Sequence, residues 1–339
     1  TLATNNMTLD IVLWGLVAVA VAGCKRETPQ PGATAEAGAK TIRIAVIPKG
    51  TTHEFWKSVH AGAVKASREL GVEIVWKGPL KEDDLKQQID LVQSFTAQGV
   101  SGIVLAPLND KALVSSVKSA TQAKIPVVIF DSDLASEDHV SFVATDNRAA
   151  GKLGCDHLAK QVNGKGGAIV LRYQEGSAST NHREEGCLDA LRAAEVKILS
   201  DNQYGGATTE TAHKASESLL LAQGAPDGKV AGVFTPNEST TFGMLRAVEK
   251  ANLAGKLGFV GFDASEKLVA GVESGAISGL VLQDPFNMGY LAVKTMVLHL
   301  KGEKVERRID TGSKLVTKVN MSEPQMKQLL RPELDQWLK

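Results

Sequence analysis

This sequence has no excess charge of either sign, and it has none of the common motifs of metal or nucleotide sites. Its 339 residues include 38 Lys and Arg and 38 Asp and Glu, so that the formal net charge is zero. This balance gives no electrostatic reason to expect nucleic acid as a partner. The spacings His-Glu-x-x-His and Cys-x-x-Cys are absent, as are the phosphate loops Gly-x-x-x-x-Gly-Lys-Ser/Thr and Gly-x-Gly-x-x-Gly. We therefore predict no metal and no other cofactor, and we expect a neutral ligand.

The apolar run near the start of the chain is too short for a transmembrane helix. It extends over twelve residues, from Ile11 to Ala22, whereas a helix that spans a bilayer needs about 20. Residues 21–24 read Val-Ala-Gly-Cys, the pattern of a lipobox. We therefore predict a lipoprotein signal peptide over residues 1–24 and a lipid anchor at Cys24, which would hold the protein on a membrane surface outside the cytoplasm. An uncleaved apolar segment is the alternative.

Cysteine is scarce, and two residues remain once Cys24 is assigned to the anchor. Cys155 and Cys187 both fall in predicted amphipathic helices, where buried free thiols that act as small apolar side chains are the favoured interpretation. A disulfide, which an oxidising compartment would allow, is the alternative.

The rest of the chain alternates between strand and helix patterns. Residues 25–40 are rich in Pro, Gly, Ala, Thr and Glu and have no apolar periodicity, which predicts a flexible tether. Short apolar runs then recur between segments of helical period, as parallel sheets flanked by helices require. About 300 residues suffice for two domains. We therefore predict an α/β fold of two Rossmann-like lobes, with a ligand cleft between them that closes like a hinge.

Polar or turn-forming residues follow several of the predicted strands directly. The segments are Pro-Lys-Gly at residues 48–50, Pro-Leu-Asn-Asp at 107–110, Asp-Ser-Asp at 131–133, Pro-Asn-Glu at 236–238 and Asp-Ala-Ser at 263–265. In open α/β sheets, ligands bind at the carboxyl edge of the strands, where helix N-termini present free N–H groups. We therefore expect the functional site at this edge.

From Thr41 to Leu338 the chain resembles the periplasmic sugar-binding proteins of ABC transporters, of the ribose, xylose and galactose type. Seven motifs carry the resemblance in order: Phe-Trp at 55–56, Val-Val-Ile-Phe-Asp at 127–131, Ala-Thr-Asp-Asn at 144–147, Arg-Glu-Glu-Gly at 183–186, Pro-Asn-Glu at 236–238, Val-Gly-Phe-Asp at 260–263 and Leu-Gln-Asp-Pro-Phe at 282–286. The resemblance implies a type I periplasmic binding protein fold, with three segments crossing between the lobes near Thr145, Gln283 and Gly312. The N-terminal lobe is then residues 41–145 plus 284–312, and the C-terminal lobe is residues 146–283 plus 313–339.

The resemblance also implies a monosaccharide site between the lobes. The positions that match the ligand loops of the family, with His53 as an additional candidate, are His53, Phe55, Trp56, Asp131, Arg183, Asn237, Asp263 and Gln283. These residue types suit a sugar, because carboxylates accept hydrogen bonds, arginine donates them, amides do both, and aromatic rings cover the C–H faces. Ribose-binding members have asparagine at the position of His53 and arginine at that of Ser132, and both departures argue against ribose itself.

Local patterns give the same residues structural alternatives. Asp263 with Glu266 matches an Asp-x-x-Glu capping box, so that a helix cap is favoured on local grounds, and Asn237 is equally ambiguous. Asp131 could be an ordinary turn residue. Phe55 and Trp56 could pack at the start of a helix, and Arg183 could be a solvated surface charge.

We expect a monomeric receptor in the periplasm or on the cell surface that captures a pentose, hexose or related polyol and delivers it to an ABC permease. The alternative is a sensor that presents a sugar or furanosyl signal to a membrane receptor. We expect no enzyme activity. A glycosidase that uses Asp131 and Asp263 is disfavoured, because Arg183 is expected to depress the pKa of both carboxyls, whereas a general acid needs a raised one.

Overall fold

Strands and helices alternate along residues 41–339, the part of the chain that the computed structural model describes. The predicted signal peptide, Cys24 and the predicted tether lie outside the described residues. The strands are β1 (Arg43–Ile47), β2 (Glu73–Trp76), β3 (Gly102–Leu105), β4 (Val127–Phe130), β5 (Ser141–Ala144), β6 (Gly167–Arg172), β7 (Lys197–Tyr204), β8 (Val230–Phe234), β9 (Gly258–Phe262), β10 (Gly279–Gln283), β11 (Arg308–Asp310) and β12 (Ser313–Val316). The α-helices are α1 (Glu54–Leu70), α2 (Leu85–Ala97), α3 (Val114–Gln122), α4 (Asn147–Val162), α5 (Ala178–Ala193), α6 (Thr209–Ala222), α7 (Glu238–Lys250), α8 (Glu266–Ser274), α9 (Pro285–Leu300) and α10 (Pro324–Leu330).

The strands form two six-stranded sheets of equivalent order. The first sheet has the order β11-β5-β4-β3-β1-β2 and the second has β12-β10-β9-β8-β6-β7. All neighbouring pairs are parallel except β10 with β12. The prediction of two Rossmann-like lobes is confirmed. In each sheet the strand order reverses next to the first strand of the lobe, which is the switch point where ligands bind in such folds.

Apolar side chains cover both faces of the first sheet. Ile44 and Val46 of β1 pack into one core cluster, whereas Ala45 and Ile47 pack into another. Successive side chains of a strand point to opposite faces, so a strand that is buried on both sides needs the continuous apolar run that the sequence shows at this point.

The chain passes between the two sheets at three places within the described residues: between β5 and α4, between β10 and α9, and between β11 and β12. We call the lobe built around the first sheet the first lobe and the one built around the second sheet the second lobe. Helix α10 packs on the second lobe through Met326 and Leu330. The tail that follows α10 also contacts the first lobe, because Arg68 of α1 donates hydrogen bonds to the carbonyls of Gln336 and Trp337. The division of the lobes at Thr145, Gln283 and Gly312 stays a prediction about where the molecule bends.

Helices α4 and α5 approach so closely that their backbones are in contact. A Cβ atom at Gly151 would lie 1.9 Å from the carbonyl oxygen of Arg183, and one at Gly186 would lie 2.0 Å from that of Arg148. This approach brings the Cα atoms of Cys155 and Cys187 to 4.9 Å, and the two residues form a disulfide. The favoured prediction of free thiols is therefore wrong, because the sequence pattern placed both residues in helices without showing how closely those helices pack.

Within residues 41–339, no helix combines the length and the apolar character that crossing a bilayer requires.

Candidate ligand-binding site

Residues from both lobes enclose a small cavity between the carboxyl edges of the two sheets. It is lined by Lys49, His53, Phe55, Trp56, Glu82, Asp131, Tyr173, Ser179, Thr180, Arg183, Asn237, Asp263 and Gln283. All eight residues that the sequence nominated are therefore brought together, although whether each contacts a ligand stays a prediction. The cavity volume is about 20 Å³, which is room for about one water molecule. A larger ligand needs more room than this, so we expect its entry to require separation of the lobes.

Asp131 and Asp263 occupy equivalent positions in the two lobes. Asp131 follows β4 and Asp263 follows β9, and their backbone N–H groups donate to Val143 and Val281 on the neighbouring strands. Both have positive φ, 60° and 67°, a backbone conformation that is uncommon for residues other than glycine and that recurs at functional sites. The backbone thus turns each carboxyl away from its strand at the edge that faces the other lobe.

Burial raises the pKa of both aspartates. The strongest opposing influence is Lys49 for Asp131 and Arg183 for Asp263. The expectation that Arg183 depresses both pKa values is therefore wrong, because desolvation of the carboxylates outweighs the attraction of the guanidinium.

Asp263 does not cap α8, the helix that follows it in the chain. Its Oδ1 accepts a hydrogen bond of 2.7 Å from Gln283 Nε2, and its Oδ2 accepts one of 3.0 Å from the backbone N–H of Glu238. The cap of α8 is Ser265, whose side chain accepts from the Leu268 N–H. The local preference for Asp263 as the cap of α8 is therefore wrong, because the turn at Asp263 delays that helix by two residues.

Asn237 has the capping role that the sequence left open and also lies at the cavity, whereas ligand contact stays a prediction. Its side chain caps α7 by accepting from the Thr240 N–H at 3.2 Å, and the residue also lines the cavity. The capping box at this position fixes the amide, so that its remaining hydrogen-bonding capacity is held in a defined direction.

Arg183 is buried and held rigidly, not solvated at the surface. Its Nε donates to Asn147 Oδ1 at 2.8 Å and its Nη1 to the Pro236 carbonyl at 2.9 Å. The guanidinium lies over the ring of Phe262 at 4.4 Å. The buried Nη2 atom has no hydrogen-bond partner within residues 41–339. Since Arg183 lines the cavity, Nη2 is a donor that remains for a ligand.

Glu82 organises one wall of the cavity. Its Oε1 accepts hydrogen bonds from Trp56 Nε1 at 2.6 Å and lies 2.9 Å from His53 Nδ1, while its Oε2 accepts from the Tyr173 hydroxyl at 2.5 Å. Burial by itself would lower the pKa of His53, but the Glu82 carboxylate raises it to about 9. Burial would likewise raise the pKa of Glu82, but His53, Lys49 and Tyr173 lower it to about 2. His53 and Glu82 are therefore an ion pair.

Trp56 has the packing role that the sequence left as an alternative, in addition to its place at the cavity. The ring packs edge-on against Phe55 and Phe130, with centroids 4.9 Å and 6.1 Å away, and belongs to the core of the first lobe. Its indole N–H is already bound to Glu82. Trp56 can therefore offer a ligand ring surface, but no hydrogen bond.

Five of the lining residues were not among the candidates identified from the sequence. Tyr173 directly follows the first strand of its lobe and Lys49 lies two residues after the first strand of the other, so that position at the switch point could have identified them. Ser179 and Thr180 lie in the first turn of α5, which is a weaker signal. Glu82 lies in the loop between β2 and α2, and no strand-end pattern marks it.

The described residues hold no group of three or more His, Cys, Asp or Glu side chains placed to bind a metal ion. Comparison with known proteins agrees with the fold. The family model for the periplasmic binding protein domain matches residues 44–304. The ribose import binding protein of Salmonella typhimurium is 30% identical over 275 residues, which cover 81% of this chain and 90% of that protein.

Two solved structures have the same fold. One is a carbohydrate transporter solute-binding protein from Agrobacterium radiobacter in complex with D-arabinose, 34% identical with a TM-score of 0.81, which covers 86% of this chain and 99% of that one. The other is an ABC transporter solute-binding protein from Agrobacterium vitis with bound D-fucose, 35% identical with a TM-score of 0.81, which covers 85% and 100%. With two equivalent lobes, a polar cavity between them and a family match over most of its length, this chain belongs to the periplasmic binding protein family.

Proposed function

We propose that this protein binds a neutral monosaccharide between its lobes and serves as the receptor of an ABC-type sugar importer. The observation that carries the proposal is the charge balance of the cavity. Three basic residues (Lys49, His53 and Arg183) face three acidic ones (Glu82, Asp131 and Asp263) in its lining. A charged ligand would leave one charge uncompensated in a buried site, which is costly, whereas a neutral polyol would not.

The hydrogen-bonding groups suit hydroxyls that both donate and accept. Arg183 offers the unpartnered Nη2 as a donor, and Asp131 offers carboxylate oxygens as acceptors. An unpaired hydroxyl would cost about 1 to 3 kcal/mol on burial, so a site that lacked either kind of group would bind a sugar poorly. The relatives with D-arabinose and D-fucose support a pentose or hexose as the ligand class.

Hydrogen bonds between the lobes support capture by closure. Lys49 of the first lobe donates to Ser177 and Ser179 of the second, and Ser132 of the first accepts from the Ser179 backbone. Ser132 is therefore engaged between the lobes where ribose-binding members have an arginine. This difference, together with the ion pair of His53, supports a sugar other than ribose.

We infer binding and transport without catalysis, and the support is that the relatives are named as binding proteins of transporters. The raised pKa values of Asp131 and Asp263 remove the electrostatic argument against a glycosidase, so a direct assay replaces it. Release of reducing sugar from glycosides by the purified protein would contradict this inference.

We also infer lipid anchoring through Cys24, supported by the Val-Ala-Gly-Cys pattern at residues 21–24. An anchored receptor has a raised effective concentration near its permease. We also infer a monomeric receptor, because the two lobes of one chain face each other across the cavity. Incorporation of labelled fatty acid into the wild type but not into Cys24→Ser tests the anchor.

A thermal-shift screen of the full-length protein tests the ligand class. The compounds are neutral pentoses, hexoses and polyols, with hexuronates and sugar phosphates as charged counterparts. A ligand at 100 times its dissociation constant adds about 2.7 kcal/mol to the stability of the folded protein. We expect one or a few neutral sugars to stabilise it. Stabilisation by charged counterparts alone, or by no compound in the screen, would overturn the proposal.

A further inference from the structure

Helix α1 begins without a cap from its own lobe. His53 occupies the N-cap position, but its side chain makes no capping hydrogen bond. The N–H groups of Glu54 and Phe55 instead donate to Glu238 Oε1 and Oε2, at 3.3 Å and 3.1 Å. Glu238 is the first residue of α7 in the second lobe. The start of α1, which carries Phe55 and Trp56 into the cavity, is thus capped from across the cleft.

A carboxylate is well suited to this position. The first N–H groups of a helix have no partner within the helix and carry a partial positive charge, so that an anion stabilises them. Two charged groups face Glu238: His53, which attracts the carboxylate, and Asp263, which repels it. Burial raises the pKa of Glu238 to about 7, against the opposing influence of His53 and the Phe55 N–H. This desolvation accompanies the partial burial of Glu238 between the lobes.

The contact depends on the lobes being together. Helix α1 is fixed to the first lobe through Val59 and Ala63, and α7 is fixed to the second through Met244 and Leu245. Separation of the lobes would therefore withdraw Glu238 from α1 and return both to water. Glu238 is not among the residues that line the cavity.

We propose that Glu238 is a closure residue: it stabilises the closed form by capping α1 from the opposite lobe, without contacting the ligand. The inference rests on the proposed function only in that closure retains a sugar. The role of Glu238 is to position the segment that begins at His53 and to slow the release of bound ligand.

The test compares Glu238→Gln with Glu210→Gln in the full chain. Glu210 also lies in the first turn of a helix, α6, but its side chain is exposed and no hydrogen bond links it to the first lobe. The first readout is the distance between spin labels on the two lobes in sugar-free protein. We expect Glu238→Gln to shift the population toward larger distances and Glu210→Gln to match the wild type.

The second readout is dissociation of the sugar that the thermal-shift screen identifies. We expect Glu238→Gln to release it roughly tenfold faster, a change of about 1.4 kcal/mol, which is the scale of a hydrogen bond to a charged group. Hydrogen exchange at residues 54 and 55 of the sugar-bound protein should accelerate in the same variant. Glu238→Asp keeps the charge but has a shorter side chain. Its release rate and its hydrogen exchange should lie between those of the wild type and those of Glu238→Gln.

The two proposals fail in different ways. If the wild type binds no sugar, the proposed function is wrong, and the label distances alone still decide the role of Glu238. If sugar binds and Glu238→Gln equals Glu210→Gln in distances, release and exchange, the closure role is wrong.

Discussion

The hydroxyl of Tyr173 in the second lobe donates a hydrogen bond of 2.5 Å to Glu82 Oε2 in the first. The same carboxylate holds His53 and Trp56 through its other oxygen. Closing the lobes therefore completes the set of hydrogen bonds that the buried Glu82 carboxylate accepts. The energetic consequence is that ligand binding, which favours the closed form, should depend on this hydroxyl.

Removal of that hydroxyl should weaken sugar binding without unfolding the protein. Tyr173→Phe removes the one hydrogen bond that Glu82 Oε2 accepts within residues 41–339, and we expect a loss of about 1 to 2 kcal/mol in binding free energy. Isothermal titration calorimetry measures the loss. Tyr204→Phe, which removes a half-exposed hydroxyl that accepts from Arg172, is the matched control. Equal affinities for the two variants would show that the bond between the lobes contributes nothing to closure.

Arg183 should be among the most costly residues of the cavity to replace. Arg183→Ala removes a buried guanidinium and leaves Asn147 Oδ1 and the Pro236 carbonyl without their donor. We expect sugar affinity to fall by about 2 kcal/mol or more. Arg192→Ala, on the same helix but exposed, should bind as the wild type does. Calorimetry that finds near-wild-type affinity for Arg183→Ala would remove this residue from the site.

The ion pair of His53 with Glu82 should make stability depend on pH in a defined window. The pKa of His53 rises from 6.5 to about 9 on folding, so its stabilising contribution is complete below pH 6.5 and is lost as the pH rises through 9. The pKa of Glu82 falls from 4.5 to about 2, so its contribution is complete above pH 4.5 and is lost as the pH falls through 2. The pair is therefore most favourable between about pH 4.5 and 6.5.

Above about pH 7.5 the contribution of His53 to stability can be measured separately from those of two buried glutamates. Burial raises the pKa of Glu184 and of Glu238 to about 7, so both are ionised in the folded and unfolded states above that value. Between pH 7.5 and 9 we expect the free energy of unfolding of the wild type to fall by about 1 to 2 kcal/mol more than that of His53→Asn. Denaturant titrations at each pH measure the difference. Parallel curves for the two proteins would show that His53 is not held protonated.

The disulfide should stabilise the second lobe without affecting the cavity. Cys155 and Cys187 are 32 residues apart in sequence, and in the chain-entropy account a loop of this length contributes roughly 3 to 4 kcal/mol. We expect the variant with both cysteines changed to alanine to unfold at a lower temperature and to bind sugar with wild-type affinity. When the wild type is unfolded in reductant and then refolded, its melting temperature should fall. The same treatment should leave the melting temperature of the variant unchanged. A thermal transition shared by all samples would mean that the disulfide does not form.

The fold could be predicted from the sequence because its signals are local. Apolar runs such as Val127–Phe130 mark strands that are buried on both faces, and the helical period between the runs marks the covering helices. The polar residues that follow the strands, Asp131, Asn237 and Asp263, could be nominated for the same reason. Their place at a strand end is a property of neighbouring residues, and parallel strands end at a common edge.

Contacts between distant segments were beyond the reach of those signals. Glu82 and Tyr173 are 91 residues apart, and neither the loop of Glu82 nor the strand end of Tyr173 reveals that the lobes bring them together. The disulfide depends on the backbone contact of α4 with α5, and the raised pKa values of Asp131 and Asp263 depend on burial that a linear pattern does not measure.

The sequence by itself determined the two-lobed α/β architecture, the sheet edge at which the cavity lies and eight residues of its lining. Only the tertiary structure decided which of those residues pair with one another, that Glu82 and Tyr173 join the wall, and that Glu238 caps α1 from the other lobe. The physical reason is that strand and helix formation follow from periodicity over a few residues. Hydrogen bonding and desolvation in a closed cleft, by contrast, depend on the distances between segments that are far apart along the chain.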